Sequence, residues 1–372
     1  MDDSQVQSNP LEETECNVRK VTKEDALSIA NRVLNNASRS EISAYPTFEY
    51  VINDNSSRNF TLPDTLAYVL NYPNNGGFVI VAADRRVYPV LAFSPDGHFS
   101  FDNDAAMENF VDRIGSYIAG ADMTESYDVT EDYSSCYHIE PIVQTSIGQR
   151  SPWDKYVVVD HPECPAGCVA VAAALVISHS KYELFNYHDT RFYLKSIITA
   201  IHKEQNNSTS NAPKKIVGVY TPDPPTYTYD EAVDLMAKLL YWIGKDVNMR
   251  YKPDGSTAFD SNAYDLCKSL GLNLATERIL FDIDEVSWFL KDNHIIYVNG
   301  GETSGLTGHA WVIDGCDFCV DIQNREQIIK TFVHCDWGWG GSSNGYYTGE
   351  IFQAGEFAYR PYKYFAVKRE WK

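Results

Sequence analysis

The sequence predicts an α+β protein made of two units. Its 372 residues exceed one ordinary compact domain and suit two. Both halves mix segments of helical period with strand-forming runs. Between them, residues 121–135, from Ala121-Asp122-Met123 to Tyr133-Ser134-Ser135, are acidic, polar and poor in aliphatic side chains, which is linker composition.

Residues 1–17 are polar and acidic and read as a disordered tail. Thr22-Lys23-Glu24-Asp25 then opens an amphipathic helix with apolar positions at Ala26, Leu27, Ile29, Ala30, Val33 and Leu34. Thr22 as N-cap and Asp25 three residues on form a capping box, with Asp replacing the usual Glu or Gln. Strands are expected at 67–72, 77–82 and 87–93, with Asn74-Asn75-Gly76-Gly77 turning between the first two. Residues 105–119 return to helical spacing and complete a small α+β unit over 18–120.

The second unit begins near Pro141. Its first long helix is expected from Cys168 to about Tyr182, and Val169 to Ile177 are apolar on every face, so this helix should be buried all round. Further helices are expected around 190–204, 229–244 and 260–270, and strands at 295–298, 309–313 and 328–333. The proline-rich run from Tyr220 to Tyr227 reads as a stiff surface loop, and no internal repeat is visible.

With 44% hydrophobic residues and 25 Tyr, the composition is that of a folded protein. A net charge of −20 excludes nucleic acid as a partner, because phosphates would be repelled. Residues 1–140 hold 9 basic against 23 acidic residues, a net of −14, and the remainder nets −6. No apolar run reaches the roughly 20 residues that span a bilayer. Met1-Asp2-Asp3-Ser4 lacks the positive start and apolar core of a signal peptide, so the chain is either cytoplasmic or has lost its signal. Eight Cys in a chain this long, without regular spacing, do not make a disulfide framework, and at least one thiol is expected to do chemistry.

Pro165-Ala166-Gly167-Cys168 sets a thiol at the start of the buried helix, where free N–H groups and the positive dipole end favour thiolate. Gly167 leaves room for a substrate backbone. A small buried hydrophobe is the plainer reading of a lone Cys, but the residues downstream count against it. Gly308-His309-Ala310-Trp311-Val312-Ile313-Asp314-Gly315 sets a His at the head of a strand, where an imidazole can take a thiol proton and return it to a leaving amine. His334-Cys335-Asp336-Trp337-Gly338-Trp339-Gly340-Gly341 supplies a rigid aromatic wall, with Asp336 as a candidate to orient the second imidazole nitrogen. His309 follows Cys168 by 141 residues, inside the papain-type range of about 130–150.

Gly167-Cys168-Val169-Ala170, the Gly308–Gly315 block and Asp336-Trp337-Gly338-Trp339-Gly340-Gly341 resemble the three signature blocks of the streptopain family of papain-like cysteine peptidases, which includes interpain-like enzymes. Gly77-Phe78-Val79-Ile80-Val81-Ala82-Ala83-Asp84 and Pro89-Val90-Leu91-Ala92-Phe93 resemble that family's propeptide. The resemblance spans about residues 18–350. It implies a zymogen: a tail at 1–17, an inhibitory α+β propeptide over 18–130 ending in the linker, and a papain-like catalytic domain over 131–372. It also implies a secreted or periplasmic enzyme that hydrolyses protein or peptide substrates, needs no cofactor and is inhibited by its own propeptide. Position by position, Cys168 corresponds to the nucleophile and His309 to the base. Trp337 stands where papain has its Asn, and Gln149 in Ile147-Gly148-Gln149-Arg150 matches the oxyanion-hole Gln. Ser256 and Gly308 match positions that line the substrate cleft. Val171 replaces a common Thr, Asp336 the usual Asn, Ile147 a usual Trp, and Trp153-Asp154 the usual Tyr-Asn.

Two alternatives stay open at this point. One is a catalytically silent papain-fold protein that binds or inhibits; loss of Cys168, His309 or Gln149 would signal it, and all three are present. The other is a zinc site built from Cys316 and Cys319 with His334 or Cys335, although adjacent residues on a strand face opposite ways.

Overall fold

The computed structural model describes residues 19–38, 44–52, 64–101, 105–121, 126–127, 134–180, 184–205, 224–302, 308–320, 328–353 and 359–369. Along the chain run α1 (Lys23–Ser38), β1 (Thr47–Ile52), β2 (Thr65–Asn71), β3 (Phe78–Ala82), β4 (Val90–Ser94), α2 (Ala105–Ala119), β5 (Ser134–Ile139), α3 (Val157–Asp160), α4 (Cys168–Ser180), β6 (Leu184–Tyr187), β7 (Thr190–Tyr193), α5 (Leu194–Gln205), α6 (Tyr229–Asp246), α7 (Asp260–Ser269), β8 (Ile279–Leu280), α8 (Ile283–Lys291), β9 (His294–Glu302), β10 (Gly308–Val320), β11 (Ile328–Asp336), β12 (Gly345–Thr348), α9 (Gly349–Gln353) and β13 (Tyr359–Lys368).

Local signals act as expected at several ends. Thr22 and Asp25 exchange main-chain and side-chain hydrogen bonds, each at 3.1 Å, so the Asp version of the capping box closes as drawn from sequence. Asn74 and Asn75 both take positive φ, as a tight hairpin turn requires, and join β2 to β3. All thirteen residues of α4 are buried, which is what an all-round apolar helix demands.

The two units share one sheet. Its order is β1-β2-β3-β4-β12-β11-β10-β9-β13-β8, with β5 paired separately to β10. The seam is β4 against β12, antiparallel, with Phe93 opposite Tyr346 and Ala92 opposite Tyr347. The Phe93 and Tyr346 rings stack across it at 5.1 Å. Strand alternation sends Tyr68, Leu70, Val79 and Val81 toward α1, where Phe332 and Tyr346 of the second unit join them. Ala67, Val69, Phe78 and Ile80 face the other way, into a core shared with Phe110 and Ile114 of α2 and with Trp311, Trp337 and Phe352. A third core sets α4 against Tyr297 of β9 and Ala310 and Val312 of β10. The first unit is therefore an extension of the second unit's sheet, not a body hung on a tether.

Some elements differ from the sequence reading. The helix expected from 190 starts at Leu194, because Thr190–Tyr193 close a hairpin with Leu184–Tyr187. The linker composition extends to 135, yet Ser134 and Ser135 already lie in β5, opposite Val320 and Cys319 of β10. Within that linker, residues 122–125 and 128–133 lie outside the described residues, as do the tail at 1–17 and residues 220–223 of the proline-rich loop. Elements β1, α3, β8, α8, β12, α9 and β13 also lie outside the sequence expectations.

Candidate active site

Cys168 opens α4 and is 8% exposed, so its thiol sits at the end of the helix where main-chain N–H groups lack helical partners. Gly167 precedes it at φ +91°, and a Cβ there would come within 2.8 Å of the Met249 Sδ and Cε and 3.2 Å of the Ser256 Cβ. Only glycine fits that pocket. Ser256 is held beside the site by donating from Oγ to the Pro165 carbonyl at 2.7 Å. The antiparallel bridge between Arg250 and Thr257 supports the same loop. The Gln149 carbonyl accepts from Ala166 N–H at 2.8 Å, which ties this half-buried residue to the approach to Cys168.

His309 stands at the head of β10 and is 4% exposed, while Gly308 before it is exposed. Its Nε2 lies 2.8 Å from the main-chain carbonyl of Trp337. A carbonyl only accepts, so Nε2 carries the hydrogen and Nδ1 presents the lone pair of a base. Indole rings surround the imidazole: Trp339 with its centroid at 4.8 Å, Trp337 and Trp311 at 6.2 Å. Trp337 and Trp339 stack on each other at 5.5 Å. The turn carrying them is anchored to α4. A Cβ on Gly338, at φ +71°, would meet Val171 Cγ1 at 2.8 Å, one turn below Cys168. It is also tied to the Gln149 loop, since Gly340 N–H donates to the Ile147 carbonyl at 3.2 Å. One turn thus connects the elements bearing Cys168, His309 and Gln149.

Asp336 departs from its expected role. Its carboxyl hydrogen-bonds to Gly338 and Asn344. Oδ1 accepts from the Gly338 N–H at 2.9 Å, and the Asn344 side chain, which takes the Trp337 N–H on its Oδ1 at 3.1 Å, also bonds the carboxyl. The orienting acceptor for His309 is the Trp337 backbone, not the Asp336 carboxylate. Burial pushes the Asp336 carboxyl up to about 7; nearby Asp314 adds to this, while the Gly338 N–H, His334 and Asn344 oppose it.

Sequence reasoning missed the partners behind this turn. Asp314 is fully buried and its Oδ1 lies 2.6 Å from His334 Nδ1. Asp314 stood in the quoted His block, and His334 lies two positions before Asp336, on the same strand face. Position alone could have flagged both. With His334 engaged by Asp314 and Cys335 packed in the core, the zinc alternative loses two of its ligands. Among the described residues no group of His, Cys, Asp and Glu is arranged to hold a metal, and the Cys319 side chain lies outside them. No helix among them is long and apolar enough to cross a membrane.

The sequence pattern of the Peptidase C10 family matches residues 147–347, which hold Gln149, Cys168, His309 and Trp337. The chain belongs to the peptidase C10 family. Ahead of that region, residues 18–118 match the Spi protease inhibitor family. Streptopain of Streptococcus pyogenes is 28% identical over 317 residues, covering 75% of this chain and 73% of streptopain. The thiol protease/hemagglutinin PrtT of Porphyromonas gingivalis is 25% identical over 323 residues, 76% of this chain and 33% of PrtT. In fold, a fragment of prointerpain A from Prevotella intermedia superposes with a TM-score of 0.55 at 18% identity, over 86% of this chain and 98% of the fragment. This C10 peptidase is a cysteine endopeptidase precursor, with an inhibitor-like propeptide domain before a papain-like peptidase domain.

Proposed function

We propose that this C10 enzyme cleaves protein or peptide substrates with Cys168 as nucleophile and His309 as general base. The observation that carries the assignment is the Trp337 carbonyl on His309 Nε2 at 2.8 Å, which leaves Nδ1 as the proton-accepting nitrogen. The Cys168 Sγ attacks the scissile carbonyl carbon as His309 Nδ1 takes the thiol proton. The C–N bond then breaks, and the same proton passes to the leaving amine. Water adds to the resulting thioester, gives a proton to His309 and releases the acid, restoring the thiol. The Gln149 carboxamide and the Cys168 N–H hold the tetrahedral oxyanion. Gly167, Gly308 and Ser256 line the path of the substrate backbone, supported by the tight packing of Gly167 on Met249 and Ser256.

The propeptide runs over 18–130 and the peptidase domain over 131–372, a division supported by the pairing of β5 with β10. In this reading the propeptide inhibits its own chain and the enzyme works outside the cytoplasm. The test is peptide hydrolysis by Cys168→Ala together with mass-spectrometric mapping of epoxysuccinyl or iodoacetamide labelling. Loss of turnover and a single fast-labelled site at Cys168 are expected. Turnover by folded Cys168→Ala would sink the assignment.

A further inference from the structure

Arg150 directly follows Gln149, and its side chain reaches away from that loop in two directions. Nη1 donates to the Glu163 carbonyl at 2.5 Å, and Nη2 donates to the Pro253 carbonyl at 2.7 Å. One planar fork therefore bridges two main-chain segments, 13 and 103 residues further along the chain. The nearer segment runs into Cys168. In it Glu163 stands at φ +65°, a left-handed conformation that a residue with a side chain keeps only where its surroundings hold it. Arg150 supplies one hold there, and the Cys164 N–H donating to the His161 carbonyl at 3.2 Å supplies another. The farther segment is the cleft wall, where Arg250 and Thr257 exchange main-chain hydrogen bonds at 2.7 and 3.1 Å around Pro253. Ser256 of that wall donates back to the Pro165 carbonyl, and Ala166 N–H donates to the Gln149 carbonyl. Residues 147–150, 161–168 and 249–257 are thus closed into a ring of contacts, and Arg150 reaches both other segments from the first. Arg150 is exposed, so holding it in one geometry costs rotamer freedom, which charge-assisted bonds to two carbonyls offset.

We propose that Arg150 is a positioning residue for peptide cleavage, its fork fixing the Gln149 loop against the approach to Cys168 and against the wall that carries Met249 and Ser256. This rests on the reading of Cys168 as nucleophile and Gln149 as oxyanion donor. Two effects follow from the two arms. The arm on Glu163 holds the Gln149 loop at its distance from the thiol, which bears on the tetrahedral oxyanion and so on kcat. The arm on Pro253 holds the cleft wall, which bears on substrate binding and so on KM. The rival role for such a residue is plain charge: a cation close to the nucleophile favours thiolate wherever its hydrogen bonds go. Geometry and charge separate on substitution, because Lys keeps the charge and loses the fork.

The experiment measures kcat, KM and the rate of iodoacetamide labelling at Cys168 for enzyme matured from the full chain. Labelling forms the Sγ–C bond as iodide leaves, with no oxyanion and no peptide in the cleft, so it reads the thiolate alone. Arg150→Ala should lower kcat and raise KM, a combined loss in kcat/KM approaching about 10²-fold, while the labelling rate stays at the parent value. Arg150→Lys should stay impaired in both constants. In the Gln149→Ala background, Arg150→Ala should cost about twofold or less in kcat, because the donor it positions is gone, and should still raise KM. If Arg150→Ala does not fold, Arg150→Gln carries the same measurements. Parent-like kcat and KM in Arg150→Lys, or labelling that slows in step with turnover in Arg150→Ala, would show that charge is what matters and overturn the proposal. So would an Arg150→Ala variant that melts lower yet keeps kcat and KM, or a double variant whose kcat falls by the product of the two single losses. Parent-like turnover by Gln149→Ala or by folded Cys168→Ala would instead reject the underlying catalytic reading, so the two failures are told apart.

Discussion

His309 donates from Nε2 to the main-chain carbonyl of Trp337 at 2.8 Å, so a backbone atom orients the imidazole proposed here as the general base. Replacing the Trp337 side chain leaves that carbonyl in place. Trp337→Phe should therefore keep the proton geometry and lose part of the aromatic shield, costing roughly tenfold or less in kcat. His309→Ala should be as damaging as Cys168→Ala, because base and nucleophile act as a unit. Steady-state hydrolysis of one peptide by all three variants checks this; equal losses at Trp337 and His309 would count against the backbone role.

Gln149→Ala should lower kcat by about 10² to 10³, the usual cost of one oxyanion donor, with a smaller change in KM. The loop itself should survive, since its ties to Ala166 and Gly340 run through the main chain of Gln149 and Ile147. A parent-like rate in Gln149→Ala would place the oxyanion donor elsewhere.

Asp336 gives a pH-dependent stability with a definite sign. Its carboxyl is raised from 3.8 to about 7 in the folded chain, so between those values the folded state holds a proton that the unfolded state releases. The stabilising effect of that proton is present below 3.8 and is lost as pH rises through 7. Asp336→Asn, which cannot ionise, should therefore raise the melting temperature relative to the parent above pH 7, and the difference should shrink toward pH 4. Thermal denaturation across that range is the measurement, and a constant offset would contradict the burial of a titrating carboxyl. His334 behaves in the same sense: its value is also raised, so its pairing with Asp314 stabilises most in acid and fades as pH rises past its folded value.

The propeptide boundary can be tested through β5. Because Ser134–Ile139 pair with β10 and the Val143 N–H is held by Asp314, a catalytic fragment starting at Ser134 should melt higher than one starting at Pro141. The full chain should hydrolyse peptides more slowly than the Ser134 fragment. A full chain as active as that fragment would make the first unit an accessory domain, and equal melting of the two fragments would remove β5 from the peptidase core.

Local chemistry was legible in the sequence because its causes are local. The all-apolar run after Cys168 announced a buried helix. Thr22 and Asp25 announced a cap. Gly167-Cys168, Gly308-His309 and Trp337-Gly338-Trp339 named the candidate site before any contact was known. What only the tertiary structure decided depends on groups without a sequence signature, or on pairings across long separations. The His309 acceptor is a backbone carbonyl, which every residue carries, so the side chain beside it, Asp336, drew the role instead. The sheet that runs from the first unit into the second depends on β4 meeting β12, roughly 250 residues apart. Neither strand shows its partner in its own residues, since strand pairing is satisfied by backbone groups and by whichever apolar faces the fold brings together.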